Sequence, residues 1–400
     1  MKILFFLNNI ADQGGTGRIV ADKINYLAQY HDIEIFVAYF GNGEVIPFYS
    51  INKFVNRIPI QVNQKYVSSV IKPWGLAHLY CEINRIVKRI RPDVVDTIGI
   101  RFVNIFIPLI CRNVPIVIEK HFTIEGIRKM DVGSKREKYA NGLMLNNGKM
   151  VLRKLMYLHY NKCVVLTNDD VKAWGLKNMV VIPNFTNLKF PEIDEEKREK
   201  LVINVGRLAD QKDQKTLIDA WKLVNKHYPD WKLEIWGAGG LNKQLQVQIM
   251  EAGLQESAYL RGLTSHIETE YPRASIFALS SRYEGMPLVA IEAMTAGVPC
   301  VSYDIMGIRD VITDGEDGVI VSERAPEALA QGIMQLMENP NLRKEMSANC
   351  VRNVKKFDKD KIMAQWLALF ESLVEKKRKK VERRRLWRIA LKKKFLFSFF

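Results

Sequence analysis

The stretch from Ser281 to Asp304, SRYEGMPLVAIEAMTAGVPCVSYD, admits few local geometries. The apolar runs Ile276–Leu279 before it and Cys300–Tyr303 near its end have the length of buried strands. Between them, Pro287 suits the first position of a helix, where its ring presets φ and no N–H is needed. Gly297 and Pro299 then stop that helix. The order is strand, acidic glycine turn, short helix, strand, which is one unit of a parallel α/β sheet. Glu284 and Glu292, with seven residues between them, flank the helix start. A helix N-terminus preceded by glycine offers backbone N–H groups and a positive dipole end, which suits a phosphate. Two glutamates alone would read as solvated charges. With Gly285, Pro287, Gly297 and Pro299 around them, they read as a binding turn.

The rest of the chain repeats this alternation twice. In the first half, strands are expected at Ile3–Leu7, Glu34–Tyr39, Val94–Ile98, Ile116–Glu119 and Val164–Thr167, with a helix from about Arg18 to Tyr30. The polar segment 185–200, with Pro191, reads as a linker. Strands follow at Val202–Val205, Lys232–Trp236, Tyr259–Leu263, Ile276–Leu279, Cys300–Tyr303 and Gly318–Val321, with helices between them, the last over Pro326–Glu338. The expected fold is α/β: two doubly wound, Rossmann-like domains, 1–184 and 201–357, facing each other across a ligand cleft at the carboxyl ends of the strands. The helix 358–374 carries Ile362, Trp366, Leu369, Phe370 and Leu373 on one stripe. It either packs back on the first domain or ends the second, and the pattern leaves both open.

Bulk properties narrow the function. At 400 residues, 48% hydrophobic and 26% charged, the chain has the apolar mass for two cores. The net charge is +16, but residues 376–394 hold twelve basic residues against one acid, so most of the excess sits on a tail. A nucleic-acid-binding body is not indicated. The five cysteines are scattered without metal spacing and read as reduced thiols. The apolar run after Lys2 is too short for a signal peptide, and no run approaches the ~18–20 residues of a membrane span.

Three further constellations sit at strand exits. Arg207 and Lys212, five apart after Val202–Val205, pair a planar fork with a mobile point charge, a combination that clamps a diphosphate; a basic surface turn would look the same. Gly14-Gly15-Thr16-Gly17 follows the first strand and lets the backbone approach a ligand. Neither it nor Gly237-Ala238-Gly239-Gly240 has the glycine spacing of the dinucleotide fingerprint, which disfavours a NAD-dependent dehydrogenase. His121 follows Ile116-Val117-Ile118-Glu119-Lys120, a strand and its exit, a position as compatible with catalysis as with a structural role. The one Asp-x-Asp, Asp358-Lys359-Asp360, lies in a charged terminal helix, and no His/Cys/Asp cluster has metal spacing. No cofactor and no metal are expected.

The sequence E-G-M-P-L-V-A-I-E-A-M-T-A-G-V-P-C-V resembles the signature of the family 4 glycosyltransferases, retaining enzymes of GT-B fold that use nucleotide-sugars. Gly206-Arg207-Leu208 with Lys212 matches the family's G-R-L-x-x-x-K, and Ile182-Pro183-Asn184 its hinge segment. The resemblance is close from Val202 to Val321 and only outlined before that. It implies that Glu292 holds the ribose hydroxyls and Glu284 the donor sugar. It places the backbone at Gly285, Met286, Pro287 and Leu288 along sugar and phosphate. It assigns Arg207 and Lys212 to the pyrophosphate, Gly15 to the donor side, and His121 to the sugar's hydroxyls. The expected reaction moves a hexose or N-acetylhexosamine from a nucleoside diphosphate sugar, UDP before GDP, to a lipid-linked saccharide in cell-surface polysaccharide synthesis. A GDP-mannose enzyme and a non-catalytic sugar-nucleotide-binding protein are the alternatives.

The tail 375–400 interleaves its basic residues with Leu386, Trp387, Ile389, Leu391, Phe395, Leu396, Phe397, Phe399 and Phe400. A basic, aromatic-rich end suits an anionic bilayer surface better than nucleic acid. The expected location is the cytoplasmic face of the inner membrane, bound peripherally. Residues 128–154, basic with interspersed methionines and leucines, read as a mobile acceptor loop, a membrane-facing helix or a solvated insertion.

Overall fold

The computed structural model describes residues 1–11, 14–41, 43, 45–61, 73–99, 103–121, 123–124, 127, 142–190 and 195–397. The first domain is a seven-stranded sheet: β1 (Lys2–Leu7), β2 (Glu34–Phe40), β3 (Asn56–Ile60), β4 (Val94–Ile98), β5 (Ile116–Lys120), β6 (Lys162–Val165) and β7 (Met179–Val181). The strand order is β3-β2-β1-β4-β5-β6-β7, every pair parallel. Between the strands run α1 (Gly15–Leu27), α2 (Pro73–Ile90), α3 (Val103–Ile110), α4 (Gly142–Tyr157) and α5 (Asn168–Trp174). β1 shows why the strands read as unbroken apolar runs. Ile3, Phe5 and Leu7 enter the core on one face of the sheet, Leu4 and Phe6 the core on the other.

The second domain has six parallel strands: β8 (Leu201–Val205), β9 (Lys232–Trp236), β10 (Ala258–Gly262), β11 (Ile276–Leu279), β12 (Cys300–Tyr303) and β13 (Gly318–Val321), in the order β10-β9-β8-β11-β12-β13. Its helices are α6 (Gln214–His227), α7 (Asn242–Glu251), α8 (Ile267–Glu270), α9 (Leu288–Thr295), α10 (Pro326–Glu338) and α11 (Pro340–Asn353). In both sheets the order reverses at the first strand, leaving a crevice beside β1 and beside β8 where strand exits diverge. This is the doubly wound α/β architecture that the alternation predicts.

The chain changes domain within a few residues. Phe185 is buried in the first domain's core, whereas Leu188 and Phe190 pack against the second's. Arg198 anchors the far end, donating to the carbonyls of Pro272, Ala274, Ala296 and Gly297 at 2.7–3.2 Å. The last helix, α12 (Lys359–Phe397), returns to the first domain. Its Ile362, Met363, Trp366, Phe370 and Leu373 complete the core beneath β1 and α1, with Phe370 edge-on to Phe5 at 6.4 Å. Phe370 is fully buried, so Phe370→Ala should cost about 3–5 kcal/mol, read as an earlier urea transition of the first domain. An unchanged transition would mean that α12 lies outside that domain's cooperative unit.

Several boundaries differ from the sequence reading. Helix α1 begins at Gly15, three residues before Arg18, with Gly14 extended in front of it. Pro287 is the residue before α9 rather than its first: φ is −70° but ψ is 102°. The ring sets φ and leaves ψ free, and here ψ is extended. Gly297, at φ +67°, takes the left-handed conformation that ends α9. Helix α11 and strands β3 and β7 were not expected; α11 is mostly polar, and β3 and β7 are short edge segments.

Candidate functional site

The second domain's contribution is built on the exits of β8 and β11. After β8 the chain passes Gly206 and Arg207 and turns at Gln211-Lys212-Asp213 into α6. This turn is stitched to the β11 exit. Ser280 Oγ donates to the Lys212 carbonyl at 2.8 Å, Gln211 Nε2 to the Tyr283 carbonyl at 3.1 Å, and the Arg282 N–H to the Gln211 carbonyl at 2.8 Å. Asp213, buried and at φ +51°, accepts from Arg282 at 3.2 Å and from Arg324 at 3.0 Å. Burial pushes its carboxyl up, and the two guanidinium groups outweigh that and hold it below the usual range. The consequence is a fixed Lys212, whose Nζ donates to Glu284 Oε1 at 2.7 Å.

Glu292 lies on the second turn of α9 and is 3% exposed. Its Oε1 accepts from Arg18 Nη1 at 2.8 Å and its Oε2 from the Tyr271 hydroxyl at 3.0 Å. Burial raises its proton affinity, and Arg18 and Tyr271 offset part of that rise. Arg18 belongs to α1 of the first domain, so the contact crosses the cleft. Among the described residues no side chain caps the N-terminus of α9. Its leading N–H groups therefore keep the polarity that an anion complements.

Three more contacts join the domains here. A Cβ on Gly285 would stand 2.1 Å from the His121 carbonyl oxygen, so only glycine allows this approach. Asn184 Nδ2 donates to the Met286 carbonyl at 3.2 Å, and the Met286 side chain is buried. Leu288 packs on the first domain's core, and a Cβ on Gly15 would be 3.9 Å from its Cδ2. His121 Nε2 lies 3.2 Å from Glu119 Oε2, with the ring 7% exposed.

Thus Glu284, Gly285, Met286, Pro287, Leu288, Glu292 and Lys212 share one wall, with Gly15 and His121 opposite. Arg207 is exposed at the rim; its carbonyl accepts from Gln214 Nε2 at 3.1 Å. Gly285 and Met286 spend part of their backbone on the domain contact itself. Arg18 and Tyr271, which hold Glu292, were not anticipated. Arg18 directly follows the Gly14–Gly17 turn, a signal that was present; nothing local marks Tyr271. The loop Gly237–Gly240 packs on the β8 exit, a Cβ on Gly237 falling 2.0 Å from the Gly206 carbonyl oxygen. Among the described residues, no group of three or more His, Cys, Asp or Glu could hold a metal ion.

Chemically, the wall offers two carboxylates that can accept from hydroxyls, each balanced by a cation, beside an uncapped helix start. Charge-assisted hydrogen bonds of this kind are short and directional.

Residues 186–357 match the family model described as glycosyl transferases group 1. The chain is 26% identical over 378 residues to an uncharacterized glycosyltransferase of Haemophilus influenzae, covering 91% of this chain and 98% of that protein. It is 27% identical over 382 residues to the amylovoran biosynthesis glycosyltransferase AmsD of Erwinia amylovora, covering 91% and 98%. Its fold is similar to that of Anabaena Alr3699/HepE, solved in complex with UDP, at a TM-score of 0.71 and 18% identity, covering 93% of this chain and all of that one. At that identity the likeness speaks for the fold, which is GT-B: two parallel-sheet α/β domains across a cleft.

Proposed function

We propose that the chain is a retaining glycosyltransferase that transfers a hexose or N-acetylhexosamine from a UDP-sugar to a lipid-linked saccharide acceptor in cell-surface polysaccharide synthesis. The carrying observation is the pair Glu292 and Glu284, both buried and each held by a cation beside the uncapped start of α9. Glu292 would accept the two ribose hydroxyls, exchanging Arg18 and Tyr271 for them in part. Glu284 would accept a hydroxyl of the donor sugar. Arg207, Lys212 and the leading N–H groups of α9 would take up charge on the departing diphosphate without a metal ion. His121 and Gly15 would face the sugar from the first domain. The sequence match over residues 186–357, a polysaccharide-synthesis relative and a fold neighbour solved with UDP support this reading.

The test is thermal unfolding of the full chain with UDP, GDP, ADP and CMP, with and without magnesium. UDP at 100 times its dissociation constant should add about 2.7 kcal/mol, independent of magnesium. Stabilisation by GDP alone would replace the UDP-sugar with GDP-mannose. No stabilisation by any nucleotide would reject the donor site.

The membrane reading rests on two surfaces. α12 runs on as a helix to Phe397, and Val381, Leu386 and Trp387 are 58–65% exposed among its basic residues. The side chains of Arg385 and from Arg388 onward, residues 128–141 of the basic insertion, and the side chains of 142–147 and 149 lie outside the described residues. On α4 and just after it, Val151, Leu152, Leu155 and Leu158 are exposed beside Arg153 and Lys154, an apolar ridge with basic flanks. Among the described residues no helix is long and apolar enough to cross a membrane. Deleting 376–400 should leave a folded protein that is released from anionic vesicles in flotation. Unchanged vesicle binding would reject the role of the tail.

A further inference from the structure

A buried ionic cluster lies behind His121. Lys23 of α1 is 1% exposed, Asp96 of β4 is fully buried, and Glu119 of β5 is 3% exposed. Lys23 Nζ donates to Glu119 Oε1, and to Asp96 Oδ2 at 3.1 Å. The Trp366 ring of α12 covers the ammonium at 3.8 Å from its centroid, with Phe5 at 5.1 Å. The other Glu119 oxygen, Oε2, faces His121 Nε2 at 3.2 Å.

Three ionisable groups buried together are costly unless their charges cancel. Burial first, then the charge of Glu119, pushes Asp96 well above the usual carboxylate range. Burial also pushes Glu119 up, but Lys23 and His121 outweigh it and hold it below that range. One ammonium balances one carboxylate: Glu119 is met at both oxygens, by Lys23 and by His121, whereas Asp96 Oδ1 has no partner among the described residues, so the balanced state is Lys23 charged, Glu119 ionised and Asp96 neutral. An ionised carboxylate can only accept, so the His121 nitrogen that faces it must carry a proton.

We infer that Lys23 and Glu119 are positioning residues for His121: their buried ion pair, closed over by Trp366, holds the imidazole as the Nε2–H tautomer with Nδ1 left as an acceptor. His121 shares backbone contact with Gly285, next to Glu284, so the tautomer decides what hydrogen bond the first domain offers at that wall. A ligand hydroxyl would donate to Nδ1. Helix α12 thereby acts on the site through Trp366 and the Lys23 ammonium. Only this consequence for the ligand rests on the transferase reading; the tautomer itself does not.

The test is a long-range 1H–15N spectrum of the full chain labelled with 15N-histidine, recorded at alkaline pH, with His121 assigned by its loss in His121→Asn. The wild type should show the Nε2–H form. In Glu119→Gln the ion pair passes to Lys23 and Asp96, already 3.1 Å apart, so the buried charge stays balanced. The amide oxygen then faces Lys23, its NH2 donates to Nε2, and the tautomer inverts to Nδ1–H. Lys23→Met is the second variant: without the ammonium, Glu119 takes a proton, donates to Nε2 and produces the same inversion. An Nδ1–H wild type, or variants that keep the Nε2–H form, would overturn the inference. UDP-dependent stabilisation of the same samples reports separately on the nucleotide site.

Discussion

Glu292→Ala should abolish the stabilisation of the protein by UDP at concentrations that saturate the wild type. A buried carboxylate that accepts from two ribose hydroxyls makes two charge-assisted hydrogen bonds, each about 1.5–3 kcal/mol. Their loss weakens binding about 100-fold or more. The substitution also takes from Arg18 the carboxylate that holds it at 2.8 Å, whereas the Tyr271 hydroxyl, 3.0 Å from Glu292, keeps the Val289 carbonyl at 3.3 Å. Arg18 keeps some access to water, with its side chain 24% exposed, so the fold should survive. Calorimetric titration with UDP checks this. Affinity within twofold of wild type would remove Glu292 from the nucleotide site and leave it as an interdomain tie to Arg18.

Gly285→Ala should reduce turnover on the order of 100-fold while leaving the nucleotide in place, because misplacement of about 1 Å costs that much in a positioned reaction. The new Cβ would lie 2.1 Å from the His121 carbonyl oxygen and 2.9 Å from its carbon. Backbone atoms of a strand exit cannot swing away as a flexible side chain can, so the domains must part. Glu284, Glu292 and Lys212 all belong to the second domain and move together. UDP affinity should therefore change little, whereas the small-angle scattering radius should grow. Unchanged turnover and an unchanged radius would mean that the β5 exit yields and that close approach at Gly285 is not required.

Much of the architecture was legible because parallel strands are buried on both faces and leave unbroken apolar runs. Ile276–Leu279, Cys300–Tyr303 and Gly318–Val321 have the boundaries that their composition predicts. The doubly wound pattern follows from their alternation with helices. The short edge strands β3 and β7 and the polar helix α11 escaped because solvent-facing segments lack that signature. At Pro287 the ring determined φ but not ψ, and the helix begins one residue later.

The same division holds at the candidate site. By itself the sequence determined which residues stand at strand exits and which backbone positions need glycine or proline, since these are properties of the local chain. The spacing of Glu284 and Glu292 around a helix start is of that kind. Only the tertiary structure decided their partners. Arg18 is 274 residues from Glu292, and Lys212 is 72 from Glu284. Lys23, Asp96, Glu119 and Trp366 meet only because α1, β4, β5 and α12 pack around one side of the first sheet. Burial turns such meetings into strong interactions: removed from water, a charge must find its counter-charge wherever the fold places one.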